Sequence, residues 1–323
     1  MATVAAAPEV LPEGGSRLAG RARVLLRSPR LLAGLGIVVF FVLLGAIGTP
    51  LVGDPNVFSH AEWQAPSAAH WLGTTQLGQD VFAQLVAGTL PTLEVGAGAG
   101  LIAMLVAIVI GIGGGYLGGF VDEALSLLSN VVLVIPALPL IIVITAYVKA
   151  NGTVSMILVI ALVSWAASAR VLRAQTLSVR NREYVLAARA SGEHAWRIIA
   201  VEILPNELPV IVSQFIFAMI FAILTLAGLA FLGLTNTSQQ SWANMLYFAQ
   251  NDQALQSGAW WWLVPPGLCI ALVGMGLALI NFSLDEILNP RLRVYRPSRQ
   301  RRRAKAGSGT ATEPAAARAG SGA

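Results

Sequence analysis

Six long stretches of this 323-residue chain contain no Asp, Glu, Lys or Arg, and they constrain its fold more than any other feature. A helix that crosses about 30 Å of hydrocarbon needs about 20 apolar residues at about 1.5 Å per residue. The charge-free stretches are 31–53, 95–121, 124–148, 150–169, 208–251 and 253–284. Trimmed by hydropathy, they predict membrane spans at about 31–52, 93–117, 125–148, 153–171, 209–233 and 262–283. Backbone polar groups in lipid need partners within the segment, so the spans are predicted to be helices.

The composition excludes a water-soluble protein. Charged residues make up 11% of the chain and apolar residues 56%, whereas a soluble domain is about 25% charged. A disordered chain is excluded because it would be poor in apolar residues. The single cysteine, Cys269, and the scattered His60, His70 and His194 form no metal or disulfide motif. We therefore predict an all-α integral membrane protein of six transmembrane helices, with no catalytic, cofactor-binding or metal site.

The positions of Lys and Arg predict the orientation of the chain. If the N-terminus is cytoplasmic, 20 of the 21 Lys and Arg lie inside, and only Lys149 lies outside. Cytoplasmic loops are rich in Lys and Arg, so both termini are predicted to be cytoplasmic. The basic excess thus has a membrane explanation and does not indicate nucleic-acid binding. The predicted parts are a basic N-terminus (1–30), a permease domain (31–290) and a basic, disordered tail (291–323) that can contact anionic lipid.

Two features are predicted on the outer side. The first outer loop, 53–92, contains the segment HWLGTTQLGQD from His70 to Asp80, followed by a short amphipathic helix. This loop is either a docking surface for an external partner or a packing element that re-enters the bundle. Trp260, Trp261 and Trp262 lie where the sixth span begins, as expected of an interfacial aromatic belt.

The long inner loop, 173–208, is the segment with the clearest functional pattern. A helix is predicted over about 182–190, then Gly192 interrupts, and a second helix follows over about 194–203 until Pro205 ends it. A glycine at that position suits the positive φ of a helix C-terminus. Neither helix is apolar enough to span a membrane. The pair either lies on the inner leaflet through its arginines or docks into a groove of a soluble partner, and the residues alone leave both open.

The spacing of Ala187, Ala188, Gly192, Leu204 and Pro205 resembles the EAA loop of ATP-binding cassette importer permeases. Leu186 stands where that motif has its first Glu, and Glu202 where it has Ile. Three further segments resemble the dipeptide and oligopeptide branch, the DppC/OppC type. They are HWLGTTQLGQD (70–80), GGYLGGFVDEALSLLSNVVLVIPALPLIIV (114–143) and LDEILNPRLR (284–293). This branch usually has Asp where Asn130 stands, and Pro-Pro where Ser238-Gln239-Gln240 stands.

The resemblance implies a permease subunit of an ATP-driven peptide importer in the bacterial cell membrane. It implies four kinds of partner: a second homologous permease, two cytoplasmic ATPases, an extracytoplasmic substrate-binding protein and the lipid membrane. The ATPases would hold ATP and Mg²⁺, and this chain would hold no cofactor. Leu186, Ala187, Ala188, Gly192, Leu204 and Pro205 would then form the loop that binds an ATPase. The alternatives are nickel, glutathione or a glycopeptide as substrate, or another class, an ion-coupled carrier or a structural membrane protein.

Polar residues within the spans are candidates for lining a pathway. They are Asn130, Thr145, Ser164, Ser213, Gln214 and Asn281. The same residue types also join helices to one another by hydrogen bonds. The near absence of charge in mid-span disfavours an ion-coupled carrier, which would need an intramembrane ionisable residue.

The orientation predicts how an added cysteine reacts. In intact cells, the Gly309→Cys variant should resist a membrane-impermeant thiol reagent, because the tail lies in the cytoplasm. The Ala68→Cys variant, in the outer loop, should react, and the parent chain gives the background from Cys269. Rapid labelling at position 309 would contradict the cytoplasmic location of the C-terminus.

Overall fold

A computed structural model describes residues 28–58, 61–148 and 152–288, and these residues are almost entirely helical. The helices are α1 (Pro29–Gly48), α2 (Val81–Ala87), α3 (Thr89–Ala107), α4 (Gly114–Leu117), α5 (Gly119–Val134), α6 (Ala137–Val148), α7 (Thr153–Val179), α8 (Glu183–Ala190), α9 (Ala195–Arg197), α10 (Leu204–Phe231), α11 (Trp242–Asn251) and α12 (Trp260–Leu288). Two π-helical turns, Ile108–Gly113 and Ile198–Ile203, continue α3 into α4 and α9 into α10. Most of the N-terminal segment 1–30 and all of the tail 291–323 lie outside the described residues.

The number of membrane crossings agrees with the sequence. Five helical units of the described chain are long and apolar enough to cross a membrane, and α5 with α6 forms a sixth if the bent pair is one span. The five units are Pro29–Gly48, Val81–Leu117, Thr153–Val179, Ala195–Phe231 and Trp260–Leu284. The prediction of an all-α membrane protein is confirmed.

The predicted third span, 125–148, is wrong as a single straight helix. It starts earlier, at Gly119, and α5 meets α6 at an angle of 90°. Ile135 is extended at ψ 127° because the ring of Pro136 disfavours helical backbone in the residue before it. The pair still contacts both halves of α7. Near one end Asp122 bonds to Arg173, and α6 packs on the other half of α7 through Ile141.

The predicted inner loop, 173–208, is shorter than expected because helices enter it from both ends. Helix α7 continues to Val179, and the unit Ala195–Phe231 runs into the membrane without interruption. The prediction that Pro205 ends the second helix is therefore wrong. Pro205 lies in the first turn of α10, where the lack of an N–H is tolerated, directly after the π-helical turn. We call the side of the bundle that carries residues 180–205 the inner side, and the opposite side the outer side.

The sequence analysis missed helix α11, which lies on the outer side between α10 and α12. Its Trp242 is fully buried and packs edge-to-face against Phe41. The Trp242 indole Nε1 donates to the Leu85 carbonyl at 2.9 Å, and its backbone N–H donates to the Thr92 hydroxyl at 3.1 Å. These contacts attach α11 to α1, α2 and α3.

The first and last spans cross at glycines. A Cβ added to Gly34 would lie 2.6 Å from the Gly276 carbonyl oxygen, so only glycine allows this approach of α1 to α12. This contact matters for the position of α1, because most of the other side chains of α1 are exposed. Small residues at such crossings are how helices associate in lipid.

The crossing gives a test of the fold. The Gly34→Val variant should lower the free energy of unfolding by about 1–3 kcal/mol, the usual cost of forcing extra atoms into a packed interface. Gly36→Val is the matched control, because an added Cβ there meets nothing within 4 Å. Thermal unfolding in detergent measures both variants. Equal melting temperatures would contradict the close crossing of α1 and α12.

Candidate functional site

Residues 180–205 form a compact element on the inner side, which we call the inner segment. Helix α8 ends at Gly192, whose φ is +78°. The Gly192 N–H donates to the Arg189 carbonyl at 3.1 Å, and the Glu193 N–H donates to the Ala188 carbonyl at 3.2 Å. This pair of bonds is the Schellman motif that glycine favours. The predicted glycine turn is confirmed, and because an added Cβ meets nothing within 4 Å, the backbone alone requires glycine.

One face of the inner segment is buried against the membrane helices. Val185 is 0% exposed and Ile198 is 1% exposed, and both belong to an apolar cluster with Tyr116 and Leu172. Polar contacts reinforce this attachment at the segment's edges. The Arg180 guanidinium donates to the Gly115 carbonyl at 2.9 Å, and the Arg189 guanidinium lies 5.2 Å from the centre of the Tyr116 ring. The inner segment is thus fixed to the inner ends of two spans.

The other face of the inner segment is exposed and carries apolar side chains among charged ones. Leu186 is 46% exposed and Trp196 is 70% exposed, and Ala187 is also at the surface. Such side chains on the inner side offer an apolar surface to a partner. Docking of this face to a partner stays a prediction.

The structure brings several predicted loop residues together. Ala188 and Leu204 both pack against the apolar cluster that buries Val185, although 16 residues separate them in sequence. Gly192 and Pro205 are exposed, one at the turn and one at the start of α10. The geometry is that of one continuous surface element, and the binding role of its residues stays a prediction.

Glu207 is a residue of this region that the sequence analysis did not identify. It is 0% exposed, on the same face of its helix as Ile203 and Ile211, four residues away on either side. Its Oε1 lies 2.9 Å from the Thr176 hydroxyl, which joins α10 to α7. Within the described part of the chain, Oε2 has no hydrogen-bond partner and no cation pairs with the carboxylate. The spacing of four from two isoleucines was the sequence signal that could have revealed it.

Paired side chains join the broken third span to α7. Arg173 binds Asp122 through two hydrogen bonds of 2.5 and 2.9 Å. Asn130, a predicted pathway residue, accepts a hydrogen bond of 2.7 Å from Arg170. Asn130, Arg170 and Arg173 border a cleft of about 250 Å³ between α5, α7 and the π-helical turn Ile108–Gly113.

The other predicted pathway residues do not form a single lining. Ser213 and Asn281 are both buried and hydrogen-bonded to each other, so they join α10 to α12. Thr145 is buried and Ser164 half-buried, and neither hydroxyl has a partner in the part of the chain described. Gln214 is half-buried on α10. A pathway-lining role for these six residues stays a prediction.

The outer loop is packed onto the bundle. His70 Nδ1 lies 2.7 Å from Asp80, and Asp80 also caps α2 by accepting from the Ala83 N–H at 2.9 Å. The Trp261 indole donates to the Thr74 carbonyl at 3.2 Å. Because Trp261 and Trp262 are buried against this loop, the predicted aromatic belt is wrong for both, and only Trp260 is exposed. The contacts favour the packing alternative for the loop.

Comparisons with known proteins agree with this architecture. Residues 103–294 match the family described as "Binding-protein-dependent transport system inner membrane component". The chain is 32% identical over 277 residues to the dipeptide transport system permease protein DppC of Bacillus subtilis, covering 84% of this chain and 85% of that protein. It is 34% identical to DppC of Alkalihalophilus pseudofirmus, with 81% and 86% covered. It is 30% identical to the glutathione transport system permease protein GsiD of Pectobacterium atrosepticum, with 71% and 75% covered.

The burial pattern of the inner segment can be tested with two neighbouring residues. Val185→Ala should weaken the attachment of α8 by about 1–3 kcal/mol, because it removes buried methyl groups and leaves a cavity. Leu186→Ala, on the exposed face of the same helix, is the matched control. Hydrogen exchange of residues 183–203 should become about tenfold faster or more in the first variant and stay unchanged in the second. Equal exchange in the two variants would contradict the docking of this face.

Proposed function

Because this chain belongs to the family of binding-protein-dependent transport system inner membrane components, we propose that it is the permease subunit of an ATP-driven importer that carries peptides. Several relatives are named as permeases of dipeptide, D,D-dipeptide or oligopeptide transport systems. The spans hold few charges, which suits a substrate with variable side chains. Glutathione, itself a small peptide, is the second candidate because one relative is named for its transport.

The observation that carries the proposal is the two-faced inner segment. One face is fixed to the spans through Val185 and Arg180, and the other presents Leu186 and Trp196 to the inner side. A cytoplasmic ATPase that binds the exposed face would therefore move the membrane helices with it. Two such ATPases, a second permease subunit and an external binding protein would complete the transporter, and ATP and Mg²⁺ would bind only to the ATPases.

The helices provide a rigid path for this motion. The unit Ala195–Phe231 starts in the inner segment and crosses the membrane without a break, so a displacement at one end is carried along its length. Thr176 and Glu207 join this unit to α7, and Arg173 joins α7 to the third span. A closing motion of the ATPases would thus rotate several spans together, as in other rigid-body switches between two states.

A backbone substitution tests the coupling. Gly192→Val should reduce peptide uptake per ATP hydrolysed by about tenfold or more, because valine strains the positive φ that ends α8. Gly53→Val is the matched control, since Gly53 has a φ of +77°, also meets nothing within 4 Å, and lies on the outer side. The assembled transporter in proteoliposomes, with its binding protein, gives both uptake of a labelled dipeptide and ATP hydrolysis.

Each result of this experiment has a clear consequence. Membrane insertion and ATPase copurification should be retained in both variants. Uptake per ATP that is unchanged in Gly192→Val would contradict the coupling role of the inner segment. A parent transporter that takes up no peptide would contradict the proposed substrate class.

A further inference from the structure

A cavity of about 170 Å³ lies on the outer side, where four parts of the chain meet. They are the outer loop, the segment 237–240, helix α11 and the first turn of α12. Its wall includes the polar residues Asn56, Gln79, Gln84, Gln239, Gln240 and Asp252. Its size is close to that of a cavity of about 150 Å³ that holds benzene. It therefore has room for the end of a chain molecule and not for a whole peptide.

The wall is dominated by carboxamides, which both donate and accept hydrogen bonds. Gln84 donates to Gln79 at 2.8 Å, and Gln240 donates to Asn56 at 2.8 Å. In each pair the NH₂ group of the accepting residue and the side-chain oxygen of the donating residue take no part in this bond and can bond a ligand. Donors and acceptors side by side match the N–H and C=O groups of a peptide backbone.

Asp252 gives the cavity its charge. It is half-buried at the end of α11, and burial raises the pKa of its carboxyl. The Gln76 carboxamide lies 3.1 Å from Asp252 Oδ2 and donates when its NH₂ group faces the carboxylate. No Lys or Arg lines the cavity, and none pairs with Asp252 in the described ranges. The wall thus attracts a cationic group and repels a carboxylate.

Two of the wall's carboxamides lie in a segment where this sequence departs from the family that it resembles. Ser238-Gln239-Gln240 replaces the Pro-Pro of the peptide-importer branch that the sequence resembles. Proline offers no side-chain hydrogen bond and no backbone donor, so this part of the wall would be apolar with the prolines. Gln239 and Gln240 also border a second, smaller cavity, whose other wall includes Pro91, Met156 and Leu226 from three spans. The polar wall therefore lies at the outer ends of the membrane helices.

We propose that the outer cavity binds the amino-terminal end of a peptide, with Asp252 accepting from the ammonium group and the carboxamides bonding the first peptide unit. This inference rests on the proposed function, since it names how the same transporter receives its substrate. The contact with the ammonium group fixes the orientation of the bound peptide. The carboxamides bond only the peptide backbone, so they allow any side chain in the substrate.

Photolabelling of the purified transporter complex in lipid nanodiscs, without its binding protein, tests the proposal. A dipeptide with a diazirine side chain should label residues near 237–252. Ala-Ala should compete for the label at least tenfold better than N-acetyl-Ala-Ala, because the capped peptide has no ammonium group. Asp252→Asn should reduce labelling about tenfold, the scale of a hydrogen bond between charged groups.

Two further variants show whether the loss of labelling in Asp252→Asn comes from a folding defect. Glu62→Gln is the matched control, since Glu62 is an exposed carboxylate of the outer loop that does not line the cavity. The Glu62→Gln variant should be photolabelled to the same extent as the parent chain. Gln240→Ala removes a carboxamide from a loop and should reduce labelling several-fold while Asp252 stays in place.

The outcomes separate this inference from the proposed function. If the complete transporter takes up Ala-Ala but the residues that line the cavity are not labelled, the inference is wrong and the proposed function is retained. Equal competition by the capped peptide, or full labelling of Asp252→Asn, also overturns the inference. If the complete transporter takes up no peptide, the proposed function is wrong, and the inference that rests on it is wrong as well.

Discussion

Close packing of α7 against the second span is the contact on which the rest of the structure depends. Ala161, Ala166 and Ala169 of α7 are almost completely buried, and a Cβ added to Gly111 would lie 2.5 Å from the Ala169 carbonyl oxygen. Small residues let two backbones approach in lipid, where no hydrophobic force pulls helices together. Further along α7, Thr176 bonds to Glu207 of α10, and Val179 belongs to the same apolar cluster as Val185 of the inner segment. The same helix therefore fixes the membrane bundle and positions the surface that a partner would bind.

The sequence predicted most spans because charge is excluded from hydrocarbon, and this rule acts locally. Its bounds are shorter than the helices where a helix continues beyond its apolar part. Hydropathy ends the fourth span near Arg170, whereas α7 continues to Val179, with Asn130 and Asp122 binding the guanidiniums of Arg170 and Arg173. A pairing between residues 40 and 51 positions apart is not visible in a hydropathy profile.

Glycine and proline indicate where a helix ends, and this interpretation was correct at Gly192 but failed at two prolines. Gly192 was predictable because one residue type decides whether a positive φ is acceptable. Pro136 was overlooked within an apolar stretch, although it breaks the third span. Pro205 was interpreted as the end of the second helix of the loop, yet it lies in the first turn of α10. The π-helical turn before it joins α10 to α9, so the helix does not end there. The motif of the inner segment was thus predictable. Glu207 was marked only by its spacing from two isoleucines, and the burial of Asp252 depends on tertiary contacts that no spacing encodes.

Helix α10 extends from the inner segment to the outer end of the bundle. Leu204 packs with the inner segment, and Leu226 borders the smaller outer cavity, about 33 Å away at about 1.5 Å per residue. Pro209 lies within this helix and cannot donate to the carbonyl four residues before it, so one backbone hydrogen bond is missing near the inner end. Beyond Pro209 no further proline interrupts α10 before Phe231. The part of α10 beyond Pro209 would therefore tilt as one rod, and its outer end borders the smaller outer cavity through Leu226.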